Sequence, residues 1–220
     1  ELLDMGIGDP ADVAASMRDL HRINTLLGGT WSVTRHLYPR VRRLAHPPTV
    51  LEVGAGDGVL AHRLAGWRTV GNAPVRVLAS DLTTTHLHLM DRNNEAVRLQ
   101  SDALAPPVAP GSVDYAVSSL LLHHFRPSQI VLVLRALWHV VRCGIVMSDL
   151  VRGRLPELAW HLARPVLARS WITYHDGLIS VQRSYTPTEL LRLADLAGIP
   201  NARVIAQFPW RMTLTADKPS

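Results

Sequence analysis

The chain has little cysteine, lysine or phenylalanine: Cys143, Lys218, and Phe125 with Phe208, in 220 residues. One cysteine excludes an internal disulfide, and Cys143, at the mouth of an apolar stretch, reads as a buried structural thiol. No uninterrupted apolar run approaches the roughly 18 residues that a membrane span needs. The N-terminal segment lacks a basic region followed by an apolar one, the pattern of a secretory signal. These absences point to a cytoplasmic protein. The net charge of +5 comes almost wholly from arginine. The arginines are scattered, with no dense basic tract, which argues against nucleic acid as a partner.

Hydrophobic residues make up 47% of the chain, enough for a full core and against disorder. The length fits one domain. Asp9-Pro10 opens a helix with Val13, Met17, Leu20, Ile23 and Leu27 at helical spacing, stopped by Gly28-Gly29. A second helix is expected from about Trp31 to Leu44, and Pro47-Pro48 separates this preface from a core sheet. Strands at 50–53, 75–79, 97–100, 112–117 and 144–149 alternate with helical segments. That order implies an α/β fold with a doubly wound, mainly parallel sheet.

The most informative stretch runs from Val50 to Gly58: an apolar run, Glu52, then Gly54, Gly56 and Gly58 before the amphipathic segment Val59–Trp67. Strand, glycine turn and helix in this order let a ligand lie against bare backbone, with N–H donors at the helix start. The dinucleotide fingerprint needs its third glycine where Val59 stands. Glu52 also sets negative charge where a pyrophosphate would lie and suits a cationic ligand better. Asp81, 23 residues after Gly58 and just past the second strand, is placed to accept both hydroxyl protons of a ribose. Its other reading is a helix cap before Thr84.

With Ser101-Asp102-Ala103 after the third strand and Leu122-His123-His124 after the fourth, the chain resembles the class I S-adenosylmethionine-dependent methyltransferases over residues 48–150. The resemblance implies a Rossmann-like sheet closed by an antiparallel C-terminal strand, with S-adenosyl-L-methionine as cofactor. It implies that the Gly54–Gly58 loop cradles the methionine part and Asp81 holds the ribose. Asp102 would meet the adenine amino group, with Ala103 flanking the ring. Glu52, Ala55, Leu82 and Ser118 complete the expected cofactor set. Arg22 and Asn24 are placed to reach the cofactor carboxylate if the first helix covers the pocket. One domain over 1–220 is expected: a helical N-terminal cap (1–46), the cofactor core (48–150), a substrate-cap insertion (151–186), and a closing helix and strands (187–220).

Methyl transfer is an in-line displacement, so alignment of acceptor, methyl and sulfur, worth about 7–11 kcal/mol, outranks a base. Candidate bases are His123, His124 and His175; His123 is preferred over its neighbour, and His175 stands beside Asp176 at the Gly177 turn. Catechol-type enzymes of this fold place metal-binding carboxylates after the fourth strand, where this chain has Ser118-Ser119. With only Asp149 nearby, a metal-independent reaction and no metal ligands are expected. Arg152, Arg183 and Tyr185 are candidates to meet an anionic or phenolic acceptor. A looser resemblance, through Asp19-Leu20-x-Arg22-Ile23-Asn24 and the segment from His175 to Pro187, is to methyltransferases of specialised metabolism and phenolic lipids. It implies O-methylation of an aromatic or polyketide-like hydroxyl on a small molecule, with a homodimer as one option. The alternatives are methylation of RNA or another macromolecule, and a non-catalytic cofactor-binding partner subunit.

Overall fold

Successive side chains of a strand face opposite ways, and the middle strands of this chain are apolar on both faces, so each face must be covered by helices. The computed structural model describes residues 1–3, 5 and 7–219. Seven strands form one sheet: β1 (Thr49–Val53), β2 (Arg76–Asp81), β3 (Val97–Gln100), β4 (Val113–Ser119), β5 (Val141–Leu150), β6 (Arg203–Gln207) and β7 (Arg211–Asp217), in the order β3-β2-β1-β4-β5-β7-β6. The first five are parallel, and β7 runs antiparallel to both β5 and β6. The chain reverses direction across the sheet between β1 and β4, and open α/β sheets bind ligands beyond the strand ends at such a switch.

The helices are α1 (Pro10–Leu26), α2 (Gly29–Val41), α3 (Val59–Ala65), α4 (Thr84–His88), α5 (Pro127–Val140), α6 (Arg154–Leu167), α7 (Trp171–Arg183) and α8 (Pro187–Leu196). On one face α5 and α8 pack Ile130, Leu134, Leu137 and Leu190 against Leu51, Ala116, Ile145 and Met147. On the other, α2 and α3 set Val33, Leu37, Leu60 and Leu64 against Val50, Val117 and Val146. The two sets interleave along each strand with a period of two, which fixes the register. Cys143, expected to be buried, is only half-buried, with its Sγ 4.0 Å from Asp114 Oδ1.

The first helix packs against α7 of the segment after β5, which itself contributes no residue to the cleft described below. Ser16 of α1 bonds Thr173 of α7 at 3.0 Å. Asp19 of α1 accepts the Arg169 and Ser170 amides, so a carboxylate from another helix caps the start of α7, whose own Ser170 supplies no cap. Gly177, expected to turn the chain, lies inside α7 instead. Its missing side chain makes room for a neighbour: a Cβ there would stand 2.1 Å from Trp160 Cζ2 of α6. The glycine is thus a packing notch, and the helix tolerates its propensity cost of about 1 kcal/mol. Gly177→Val is expected to lower stability by at least about 1–3 kcal/mol through overpacking, read as a fall in the midpoint of urea unfolding. An unchanged midpoint would show that the two helices are not locked there.

Candidate functional site

At the carboxyl ends of β1, β2 and β4 lies a cleft of about 440 Å³. One side of it is the glycine loop, where Gly54, Gly56 and Gly58 take φ values of 71°, 55° and 75°, the left-handed region that side chains disfavour. A Cβ on Gly54 would come within 2.7 Å of Leu121, and on Gly58 within 2.5 Å of Met90. The loop amides are less available than expected: Ala55 N–H donates to Ser80 O, Gly56 N–H to Asp81 Oδ2, and Gly58 N–H to Ala55 O. What the loop offers a ligand is chiefly clearance.

Asp81 is the last residue of β2, not a position beyond it, and lines the cleft. Its Oδ2 accepts Gly56 N–H and its Oδ1 accepts Thr83 N–H, both at 2.9 Å, while His86 Nδ1 stands 3.3 Å from Oδ1. Burial pushes this carboxyl up, but the bonds from His86, Thr83 and Gly56 outweigh it and hold the group below its ordinary value. Thr83 stands at the N-cap position of α4, without a side-chain capping bond, so Asp81 does not occupy that position.

Glu52 is the opposite case. Fully buried in the cleft wall, its carboxyl is pushed well up by burial first, then by Asp57 and Asp81. Its Oε2 has no partner among the described residues, and neither do Asn24 Oδ1, Ser101 Oγ and Ser119 Oγ. All four residues line the same cleft. Buried polar atoms left without partners are costly, so four converging on one cavity mark a place for a polar ligand. Acceptors from Glu52, Asn24 and Asp81 beside a glycine-cleared loop fit the ribose and cationic amino group of S-adenosylmethionine.

Of the sequence-derived set, Glu52, Gly54, Ala55, Gly56, Asp81, Leu82, Asp102, Ala103 and Asn24 line the cleft. Gly58 closes the loop behind it as the residue before α3. Two others are placed elsewhere. Arg22 turns away, bonding Asp19 Oδ1 and the Leu167 carbonyl, because the end of α6 abuts α1 there. Ser118 points into the core, donating to Met147 Sδ; Ser119 lines the cleft in its stead. Strand parity carries this signal: Val117 pairs with Glu52, and Ser119 lies two residues on, on the same face. Asp57, Ser101, His21 and His86 also line the cleft and were not singled out from sequence.

The histidines are rearranged. His123 and His124 lie in a short 3-10 turn after β4, their ring centroids 4.3 Å apart, so the neighbours share one locality. His124 lines the cleft, whereas His123 is buried beside Asp149, with its Nδ1 2.7 Å from Asp149 Oδ1 and its backbone N–H on Oδ2. His175 sits on the exposed side of α7, outside the cleft lining, with Nδ1 2.8 Å from Asp176 Oδ1. Asp176 does not serve a turn: its two oxygens take the Leu2 and Leu3 amides, and Leu3 in turn lines the cleft. Arg152 is engaged by Glu189, and Tyr185 donates to Phe125 O, so neither lines the cleft.

Comparison with known proteins agrees with this geometry. Residues 50–144 match the family model described as a methyltransferase domain. No curated protein matches the chain in sequence. Among solved structures, a candidate O-methyltransferase from Nostoc punctiforme superposes with a TM-score of 0.63 at 13% identity, over 90% of this chain and 59% of that one. A SAM-dependent methyltransferase from Aquifex aeolicus gives 0.61 at 18% identity, over 96% and 98%. Human N-acetylserotonin methyltransferase, solved in complex with SAM, gives 0.58 at 15% identity, over 93% and 57%. The chain therefore spans less than two thirds of the Nostoc and human chains and nearly all of the Aquifex one. The chain thus has the class I S-adenosylmethionine-dependent methyltransferase fold, built around a segment, residues 50–144, that matches a methyltransferase domain.

Proposed function

We propose that the protein transfers the methyl group of S-adenosyl-L-methionine to a hydroxyl of a small aromatic or polyketide-like molecule. The observation that carries the cofactor half is the convergence of four unpartnered polar atoms and Asp81 on the glycine-cleared cleft. The bound cofactor supplies an electrophilic methyl on a sulfonium, so the protein's work is alignment, exclusion of water and removal of a proton. Asp81 and Asn24 hold hydroxyl and amino groups, Asp102 meets the adenine edge, and Ala103 leaves room for its ring.

The acceptor half rests on the wall made by Leu3, Leu121, His124 and Phe125, which closes the cleft with apolar surface and one imidazole. A phenol of pKa near 10 reacts faster when its proton is drawn off, and His124 is the titratable group of this wall. Candidate duty therefore moves from His175 and His123 to His124, with His123 behind it. The N-acetylserotonin acceptor in the name of the human relative is in keeping with an aromatic substrate. The test is calorimetric titration with S-adenosylhomocysteine, then turnover against a panel of phenols, carboxylic acids and amines. Turnover confined to phenols supports the reading; affinity without any turnover would favour a cofactor-binding partner subunit.

The raised carboxyl of Glu52 makes cofactor affinity depend on pH. In the free protein the group holds its proton above the ordinary carboxylate range; beside a cationic ligand it loses it. Binding then releases a proton, so affinity rises with pH until Glu52 ionises in the free protein, and levels off beyond. In folding the sign is reversed. A carboxyl raised by burial lowers the stability of the free protein as pH climbs above its unfolded value. Titration at several pH values checks the slope, and Glu52→Gln is expected to abolish it.

A further inference from the structure

Glu1, His123 and His124 bring a carboxylate and two imidazoles together, their ligand-capable atoms all within 4.8 Å of one another. We propose that these three side chains form a binding site for a divalent ion of the zinc type, set in the wall that faces the acceptor. The ion's role in catalysis rests on the acceptor wall proposed above; its binding does not.

The argument begins with the orientation of the His123 ring. Asp149 Oδ1 lies 2.7 Å from His123 Nδ1 and its Oδ2 accepts the His123 backbone N–H, so the carboxylate fixes the ring from one side and turns Nε2 the other way. That nitrogen is aimed at Glu1 Oε1 at 3.6 Å, and His124 Nδ1 stands 4.0 Å from Glu1 Oε2. Both distances are too long for hydrogen bonds. They are near the separation of about 3.4 Å that ligand atoms adopt around a tetrahedral ion with bonds of about 2.1 Å.

The supports around the three side chains are those of a metal site. A carboxylate holding the second nitrogen of a ligating histidine, as Asp149 holds His123, fixes its tautomer and raises its basicity. Glu1 is itself tied down: Ser180 Oγ donates to its Oε1 at 2.9 Å, and Asp176 grips the next two amides. Two nitrogens and an oxygen suit zinc and its neighbours better than magnesium, which prefers an all-oxygen shell. Three protein ligands would leave room for a further ligand, and His124, which lines the cleft, would set the ion beside the proposed acceptor. Such an ion would lower the pKa of a hydroxyl that it bound.

The test uses the tag-free full chain, titrated with Zn²⁺ by calorimetry and with Co²⁺ by absorption, alongside Glu1→Gln, His124→Ala and Asp149→Asn. The expected result is one ion per chain, bound at least tenfold more weakly by Glu1→Gln and His124→Ala. For Asp149→Asn the loss is about 10- to 100-fold. S-adenosylhomocysteine affinity, measured on every variant, is expected to stay at the wild-type value. Wild-type protein that takes up S-adenosylhomocysteine but no ion would overturn the metal site and leave the methyl-transfer reading standing. Ions bound equally by wild type and variants would also overturn it.

Discussion

Asp81→Ala is expected to weaken S-adenosylhomocysteine binding by about two orders of magnitude while the fold survives. The carboxylate is held below its ordinary value, so it is fully charged at neutral pH. Hydrogen bonds to a charged acceptor are worth about 1.5–3 kcal/mol each. Loss of those from two ribose hydroxyls gives about 3 kcal/mol or more, and 1.4 kcal/mol is about tenfold in affinity. The change also frees the Gly56 and Thr83 amides, which loosens the glycine loop that Asp81 holds. Asp81→Asn keeps one acceptor oxygen and should fall between. Calorimetric titration of the three proteins checks the order, and wild-type affinity in the alanine variant would remove the ribose assignment.

His124→Ala is expected to lower kcat by about 10²–10⁴-fold, the usual contribution of a positioned proton acceptor. Affinity for the cofactor should be unchanged. The same side chain is lost whether the proton passes to the imidazole or leaves a hydroxyl bound to an ion that the imidazole holds. His175→Ala is the contrasting variant: exposed on α7 and outside the cleft lining, it should leave turnover within about twofold. Steady-state kinetics on both variants decides. A slow His175→Ala beside an unimpaired His124→Ala would return the role to α7.

The parts of this arrangement that were legible in the sequence obey local rules. Gly54, Gly56 and Gly58 announce left-handed backbone, and Asp9-Pro10 announces a helix start with a side-chain cap. The fold order follows from strands alternating with helical segments. What escaped depends on which side a residue faces or on contacts across long stretches of chain. Ser118 and Ser119 differ only in strand parity. Gly177 looks like a turn until Trp160, seventeen residues earlier, is known to need its space. The role of Asp19 as a cap lies 151 residues away at Ser170, beyond the reach of any spacing rule. A search for metal ligands by sequence spacing passes over Glu1 with His123 and His124, because the carboxylate and the imidazoles are brought together only by folding.

The grip of Asp176 on the Leu2 and Leu3 amides ties the shape of the cleft wall to a carboxylate that is not itself part of that wall. Leu3 lines the cleft, so loss of the Asp176 carboxylate would disturb the wall without removing any side chain that lines it. Hydrogen bonds to a charged acceptor are worth about 1.5–3 kcal/mol each, so α7 anchors this part of the wall through two backbone amides.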